Sequence, residues 1–272
     1  MSGPFVLFDL GGTNVRIGVS RDGSNVDASH TVPTPPKFED GVGTIEHAAK
    51  EMLRGAAASA VVGGVGWTLD PAHASIFKST KANFLGWNGK PLREELTKRF
   101  SAPVRLENDV SLVGLGEAHV GGGKGSAILA YVTVSTGVNG VRIVDGRIDR
   151  ATYGFETGKQ IISEGRLEEL VSGAAVQKKF GIHPKELDSL DERNKLADLL
   201  AEGLYNTCLH WSPDRIVLGG SMIIGANPIP IPRTRETLAR LLTIYPEVPE
   251  IRMAALGDEG GLQGARICVQ NT

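Results

Sequence analysis

Hydrophobic and polar positions near the start of the chain predict two strands joined by a short turn. Residues 5–9 form an apolar run that ends in Asp9, and apolar residues recur through 15–20. Between them lie two glycines, a threonine and an asparagine, which favour a tight turn. The segment at 126–148 repeats this order, because two apolar runs flank a turn of small residues there. Two hairpin-led halves predict two α/β lobes with a cleft between them.

Helical and strand patterns alternate through the rest of the chain. Apolar residues at helical spacing predict helices, and short apolar runs bounded by turn residues predict buried strands. The predicted helices span 44–59, 91–100, 110–120, 163–180 and 192–211. The predicted strands lie within 60–67, 102–109 and 214–223, and a last strand, a loop and a helix follow at 250–269. Prolines at 227–233 predict a loop.

Composition narrows the class of protein. The chain has 272 residues, 41% of them hydrophobic, which is enough for one large domain or two lobes. Its formal net charge of -2 gives no excess of positive charge for binding nucleic acid or an anionic membrane. The apolar stretches are too short for a membrane span, and the first residues do not resemble an export signal. With two cysteines, we predict neither a disulfide framework nor a metal cluster, and a cytoplasmic location.

The first glycine turn can bind phosphate. A turn of small residues exposes several backbone N–H groups, and such a group of donors attracts an anion. Thr13 adds a hydroxyl, and Asp9 at the strand end can hold Mg²⁺, usually through water. The alternative is a plain hairpin whose glycines supply positive φ. Neither a P-loop motif nor a dinucleotide fingerprint occurs in this region.

Three further segments carry candidate chemistry. In STGVNG at 135–140, Thr136 and Gly137 can meet the same phosphates from the opposite side. Asp109 follows a strand and precedes a helix, so it is either an N-cap or a general base that accepts the proton of an attacking hydroxyl. Gly219 and Gly220 either admit a nucleoside or form an ordinary strand-to-helix turn.

Eight segments, in chain order, resemble the successive signatures of the ROK sugar kinases. They are DLGGTNVR, ANFLGW, LEND, STGVNG, GFETGKQI, RLEELVSG, RIVLGGS and ALGDEGGLQGA. The resemblance implies a two-lobed α/β protein of the actin-like ATPase (ribonuclease H-like) fold with an interdomain cleft, usually a homodimer. It also implies a small lobe at 1–112, completed by the C-terminal helix at 259–270, and a large lobe at 113–258. The implied reaction is transfer of the ATP γ-phosphate to a hexose hydroxyl, generally the 6-OH.

The resemblance also assigns roles by position. The first phosphate turn would contain Asp9, Gly11, Gly12 and Thr13, with Asp9 holding Mg²⁺ through water. The second phosphate turn would contain Thr136 and Gly137, and the nucleoside would lie against Gly219 and Gly220. The sugar would lie against Gly66, Asn83, Asn108, Asp109, Glu156, Lys159 and Glu168, with Asp109 as the base. The implied cofactors are therefore ATP and Mg²⁺.

The chain departs from the family pattern in several places. The residues at 160–166, where many members carry a cysteine-rich zinc loop, contain no cysteine, so we predict no structural zinc. Lys159 stands where the family usually has a histidine that touches the sugar. A lysine there either enters the pocket and engages Glu156 or Glu168, or directs its ammonium into solvent. Ser135 and Asn139 replace usual glycines, and only eight residues precede Asp9, which leaves no room for a DNA-binding domain.

The sequence therefore predicts a cytoplasmic hexose kinase that uses ATP and Mg²⁺ and is nearest to a glucokinase. Kinases for N-acetylmannosamine, N-acetylglucosamine or fructose remain alternatives, because a few hydrogen bonds decide which sugar binds. ADP or polyphosphate also remains open as the phosphate donor. A protein of a different class, which binds sugar or nucleotide with little turnover, is the further alternative that Lys159 keeps open.

Overall fold

The computed structural model describes residues 3–79 and 82–270, and the chain divides into two compact units. The first unit is assigned Met1–Gly116, Arg150–Gly154 and Asp258–Thr272, and the second Glu117–Asp149 and Phe155–Gly257. Across the described residues, the helices lack the length and apolar character needed to cross a membrane.

The first unit is built on a five-stranded sheet. In chain order its elements are β1 (Phe5–Leu10), β2 (Asn14–Ser20), β3 (Ala28–Pro33), α1 (Phe38–Leu53), β4 (Ala60–Val65), β5 (Thr68–Leu69), β6 (Ile76–Lys78), α2 (Leu92–Phe100), β7 (Val104–Asn108) and α3 (Asp109–Val120). The last turn of α3, from Glu117, is assigned to the second unit. The strand order in the main sheet is β3-β2-β1-β4-β7. Strands β1, β2 and β3 pair antiparallel, whereas β4 and β7 join parallel to β1.

Close packing fixes the centre of this sheet. Strand β4 is buried throughout, and a Cβ at Gly63 would lie 1.9 Å from the Phe8 ring, so only glycine fits beside that phenylalanine. Helix α1 covers the sheet, but it spans Phe38–Leu53 rather than the predicted 44–59. The predicted boundaries were wrong because Arg54 adopts a left-handed conformation and ends the helix there.

The second unit repeats the strand order of the first. Its elements are β8 (Ile128–Val134), β9 (Val138–Val144), β10 (Arg147–Ile148), β11 (Ile161–Ile162), β12 (Gly165–Arg166), α4 (Leu167–Val171), α5 (Gly173–Phe180), α6 (Leu190–Trp211), β13 (Arg215–Gly219), α7 (Ser221–Ile224), α8 (Ile231–Leu241) and β14 (Glu250–Met253). The main sheet has the order β10-β9-β8-β13-β14. Three strands pair antiparallel and two join parallel, as in the first unit.

Two predictions in this unit need correction. The predicted helix at 163–180 is instead a small hairpin, β11–β12, followed by the two helices α4 and α5. The break falls at Ser172, whose side chain accepts the Ala175 N–H and caps α5. Helix α8 begins at Ile231, inside the predicted proline loop, because proline is tolerated in the first turn of a helix.

The chain returns to the first unit in helix α9 (Gly260–Gln270). This helix contacts β1 and β4, and its residues from Gly260 to Val269 are almost all buried. A Cβ at Gly264 would lie 1.7 Å from the carbonyl oxygen of Leu112, so the helix packs directly on the backbone of α3. The described part of α9 therefore completes the core beneath the first sheet.

Candidate active site

Glycines make room for the carboxyl group of Asp9 in the first unit. Asp9 lies near the end of β1 and pairs with Gly64 of β4. A Cβ at Gly64 would lie 3.5 Å from Asp9 Oδ1, and one at Gly261 would lie 2.5 Å from Oδ2. Asp9 is therefore enclosed between the sheet and the first turn of α9. The predictions did not include Gly64 or Gly261 as site residues, although the segment GDEGGLQGA was among the quoted signatures.

The charge on Asp9 is poorly compensated. Burial, together with the charge of Asp109, raises the pKa of Asp9 to about 7. The guanidinium of Arg16 opposes this shift, but its Nη1 lies 4.0 Å from Asp9 Oδ2 while Nη2 lies 3.2 Å from the exposed Asp258. A divalent cation would relieve this concentration of negative charge, and carboxylate oxygens are ligands that Mg²⁺ accepts.

Asp109 lies at the junction of β7 and α3. It is the first residue of the helix, and its Oδ1 accepts the Val110 N–H at 2.8 Å. Asn108 occupies the preceding position and accepts the same N–H at 3.1 Å, which is the geometry of an N-cap. A Cβ at Gly66 would lie 3.1 Å from Asp109 Oδ2. The second carboxylate oxygen therefore lies beside Gly66 and close to the end of β4.

The first glycine turn is held by Thr34, the residue after β3. Within the turn, the Gly11 N–H donates to the Asn14 carbonyl. Thr34 donates its N–H to the Thr13 carbonyl and its hydroxyl to the Gly11 carbonyl. The Thr13 side chain is exposed. Gly11 does not adopt a left-handed φ, so the need for positive φ does not explain that glycine.

The second turn, in the other unit, is held from two sides. The N–H groups of Gly173 and Ala174, at the start of α5, donate to the carbonyls of Ser135 and Thr136 at 2.7 and 3.3 Å. A side chain at Gly137 would begin 2.8 Å from Glu168 Oε2, so the turn and Glu168 are in close contact.

The glycine pair after β13 lies against the strand that leads into this turn. Gly220 has φ +88°, and a Cβ there would lie 2.3 Å from the Val134 carbonyl oxygen. A Cβ at Gly219 would lie 2.6 Å from Tyr131 Oη. Both positions therefore need glycine for close approach, and Gly220 also needs it for its backbone conformation.

The remaining predicted sugar ligands lie in separate parts of the chain. Glu156 is exposed and precedes the 3₁₀ turn Thr157–Lys159. The ammonium of Lys159 forms an ion pair with Glu168 Oε1, which is one of the two positions considered for this lysine. Asn83 falls in the 3₁₀ turn Ala82–Trp87, but its side chain lies outside the described residues.

The histidines, cysteines and acids of the two units do not gather into a metal centre in the part of the chain that the structure describes. Across residues 3–79 and 82–270, no three histidine, cysteine, aspartate or glutamate side chains come together as a metal centre. Cys208 and Cys268 are both buried thiols, one in each unit. The absence of structural zinc stays a prediction, and metal analysis of the purified protein tests it.

Sequence and structural comparisons support the geometric findings. A profile of the ROK family matches residues 6–272. The chain belongs to the ROK family. The solved structure of a ROK hexokinase from Thermus thermophilus matches this chain with a TM-score of 0.86 and 28% sequence identity. The match covers 98% of this chain and 99% of that one. Together with the repeated strand order, this likeness confirms the predicted α/β actin-like ATPase fold.

Two curated kinases that resemble this chain differ in the sugar that their names specify. The glucokinase of Streptomyces coelicolor is 25% identical over 303 aligned residues, which cover 94% of each chain. The N-acetyl-D-glucosamine kinase of Escherichia coli is 27% identical over 299 aligned residues, which cover 95% of this chain and 96% of that one. Since its sequence identity to the two enzymes is nearly the same, this ROK protein resembles kinases named for two different sugars.

Proposed function

We propose that this protein is a hexose kinase that transfers the γ-phosphate of ATP to a sugar hydroxyl, with the 6-OH of glucose as the acceptor. The observation that carries the proposal is the position of Asp109 in a chain of ROK sequence. One carboxylate oxygen of Asp109 is held by the Val110 N–H, and the other lies beside Gly66. This is the arrangement that a general base needs, because a held carboxylate can meet an incoming hydroxyl in one geometry.

Asp109 accepts the proton of the attacking hydroxyl in this proposal. Phosphoryl transfer relies mainly on positioning and on neutralising charge, so the base need only orient the nucleophile and take its proton. Asn108 also accepts the Val110 N–H and holds the start of α3 through this cap-type hydrogen bond. Asn108, Gly66, Asn83, Glu156, Lys159 and Glu168 are the proposed sugar-site residues.

The donor side uses the two glycine turns. Gly11, Gly12 and Thr13 in the first turn and Thr136 and Gly137 in the second are the proposed phosphate contacts, and Gly219 and Gly220 the nucleoside contacts. Asp9 would hold Mg²⁺ through water, since its largely enclosed carboxylate is poorly compensated by Arg16. When bound, the metal supplies positive charge that neutralises the phosphate oxygens.

N-acetylglucosamine is the second candidate acceptor, because the Escherichia coli relative is named for it. N-acetylmannosamine and fructose remain further alternatives, as does a binding protein with little turnover. A coupled assay of ADP release with purified protein, ATP and Mg²⁺ decides among these. We expect release with glucose above the rate in buffer, and lower kcat/KM with the other three sugars.

The outcomes separate the alternatives. A higher kcat/KM with N-acetylglucosamine than with glucose would assign N-acetylglucosamine as the substrate. Sugar-dependent thermal stabilisation without ADP release would favour the binding protein. Parallel assays of sugar phosphate formation with polyphosphate or ADP in place of ATP test the donor, because neither of these donors releases ADP.

We further propose a cytoplasmic homodimer. The proposal rests on the family resemblance and on the cysteine content, since two buried thiols suit a reducing compartment. Sedimentation equilibrium on purified protein measures the oligomeric state.

A further inference from the structure

Three segments of the second unit meet at Val138, the first residue of β9 after the second turn. The 3₁₀ turn Thr157–Lys159 lies directly on its carbonyl side, because a Cβ at Gly158 would lie 2.0 Å from the Val138 oxygen. Glu168 lies on the other side and accepts the Val138 N–H through Oε2 at 3.2 Å. The 3₁₀ turn that carries Lys159 and the carboxylate of Glu168 are therefore both placed against the same residue.

The Lys159 ammonium reaches the other oxygen of this carboxylate, Oε1. Glu168 thus receives a backbone donor on one oxygen and a cation on the other. Each oxygen retains further acceptor capacity, so a sugar hydroxyl can still donate to it. Lys159 is 54% exposed and Glu168 28%, so the pair forms at the surface of the unit rather than in its core.

The lysine has an electrostatic consequence for the second turn. Glu168 Oε2 is in close contact with Gly137, at the turn proposed to hold ATP phosphates. An uncompensated carboxylate at that distance would repel an anionic ligand, and partial exposure would screen the repulsion only in part. An ammonium paired with the carboxylate removes most of that repulsion.

We infer that Lys159 is a positioning residue that holds Glu168 on Val138 and neutralises it beside the second turn, and that it thereby strengthens nucleotide binding. The inference rests on the proposed function, because it takes the second turn as a phosphate site. It assigns the lysine a role on the nucleotide side, through Glu168, in addition to any effect on the sugar.

The test measures binding of Mg²⁺–AMPPNP by titration calorimetry in the absence of sugar, so no turnover is involved. Lys159→Met should bind the nucleotide about ten-fold more weakly, as expected for one poorly screened charge near a phosphate. Lys159→Arg keeps the charge and should bind like the wild type. Lys195→Met is the matched control, because Lys195 forms an exposed ion pair with Glu192 elsewhere in the same unit.

A double-mutant cycle separates this role from a general structural one. Glu168→Gln removes the charge that Lys159 neutralises, so Lys159→Met in that background should cause no further loss. A loss of equal size in both backgrounds would overturn the inference, as would nucleotide binding by Lys159→Met at the wild-type level. Should the methionine variant fail to fold, Lys159→Gln carries the same expectation.

The inference and the proposed function fail in different ways. Wild-type protein that binds no nucleotide overturns the donor assignment, and the inference with it. Wild-type protein that binds nucleotide while Lys159→Met binds it equally well overturns the inference alone.

Discussion

The two units share a strand order but place negative charge differently at their hairpins. Asp9 pairs with Gly64 in the first sheet, and Thr133 pairs with Gly219 at the equivalent point of the second. The first hairpin therefore carries a largely enclosed acid near the end of its first strand, whereas the second carries the neutral side chain of Thr133 there. The carboxylate beside the second turn is Glu168, which comes from α4 and is paired with a lysine.

The difference matches the two kinds of ligand that the proposed function gives to the two ends. Asp9 and Asp109 raise the negative charge at the end of the first sheet, which favours a cation and a proton acceptor there. A carboxylate that Lys159 neutralises at the second turn repels an anion less than a free carboxylate would. Changing the charge at either end should therefore have effects that do not transfer to the other.

Replacing Asp109 tests the reactive end of the first sheet and should have the largest effect. Asp109→Asn should lower kcat by roughly a hundredfold to ten-thousandfold, because the proton acceptor is lost. Sugar should still bind, and thermal stability should change little because Asn108 also accepts the Val110 N–H. Stopped assays with the sugar of highest kcat/KM measure kcat. Asp22→Asn is the control, because Asp22 is exposed. A variant that kept most of its kcat would remove Asp109 from the mechanism, and one that failed to fold would favour a structural role.

Replacing Asp9 should stabilise the metal-free protein in a pH-dependent way. Its pKa is 3.8 in the reference state and about 7 in the fold, so the folded protein prefers the protonated acid. The ionised group therefore costs stability above its unfolded pKa, and the cost grows until pH passes about 7. Asp9→Asn should exceed the wild type by at most about 4 kcal/mol in free energy of unfolding at pH 8, with little difference at pH 4.

Urea unfolding at several pH values in the presence of chelator measures this difference. Thr133→Ser, at the equivalent position of the second sheet, should change stability without a pH dependence. Asp9→Asn should also need more Mg²⁺ for half-maximal activity. Equal stability of wild type and Asp9→Asn at pH 8 would show that the carboxylate is compensated in solution.

Two glycines with nearly the same φ separate backbone strain from crowding. Gly220 in the second unit has φ +88° and would place a Cβ against the Val134 carbonyl, whereas Gly55 in the first has φ +87° and open space around it. Gly220→Ala should lower the free energy of unfolding by more than about 2 kcal/mol, and Gly55→Ala by about 1 kcal/mol. Both substitutions strain the backbone, but only the one at Gly220 also creates a clash. Chemical denaturation gives both values. Equal losses would mean that the backbone beside the second turn moves to accept a side chain.

Glu107 is an acid of the first unit that is compensated, as Glu168 is in the second. Arg105 Nε lies 2.9 Å from Oε1, and His73 Nδ1 lies 3.4 Å from Oε2. The hydrogen bond to Glu107 raises the pKa of His73 above 6.5, although partial burial opposes the shift. The stabilisation from the charged histidine is therefore complete below about pH 6.5 and is lost as pH rises through the folded-state pKa.

Replacing His73 should have the smallest effect of the four. His73→Gln should destabilise the protein by less than about 1 kcal/mol at pH 6, because the pair is partly exposed, and by less again at pH 8.5. Urea denaturation at the two pH values measures the change. His47→Gln is the control, because His47 is highly exposed and its partner Glu51 lies on the same helix. A loss that grew with pH would mean that His73 acts in its neutral form.

Local patterns in the sequence predicted the features that depend on local structure. The apolar runs on either side of GGTN and STG predicted both hairpins, because strand periodicity and turn residues are read within a few positions. Strand β3 was missed because ASHTVP is mostly exposed and has no apolar alternation. The start of α1 was missed because its first turn lies in a segment that begins after two prolines.

Contacts between distant positions could not be predicted in this way. Gly261 encloses Asp9 from the far end of the chain, and no local pattern records that approach. Lys159 and Glu168 are separated by nine positions, and Glu168 and Val138 by thirty, so their pairing depends on the folded backbone. The resemblance to the ROK family supplied the residues of the candidate site, while the structure supplied their charges and partners.

Helix α9 has a consequence for the order in which a ribosome can complete the two units. Strands β1 and β4 emerge early, but Leu262 and Ala265, which are buried in the same unit, are translated after the whole of 117–257. At roughly 5–20 residues per second, the thirteen positions from 258 to 270 take about one to three seconds to synthesise. During that interval the second unit has been translated completely, while the first unit still exposes the apolar surface that α9 will cover. A nascent chain paused near residue 257 is therefore the form in which we expect chaperones to bind the first unit most strongly.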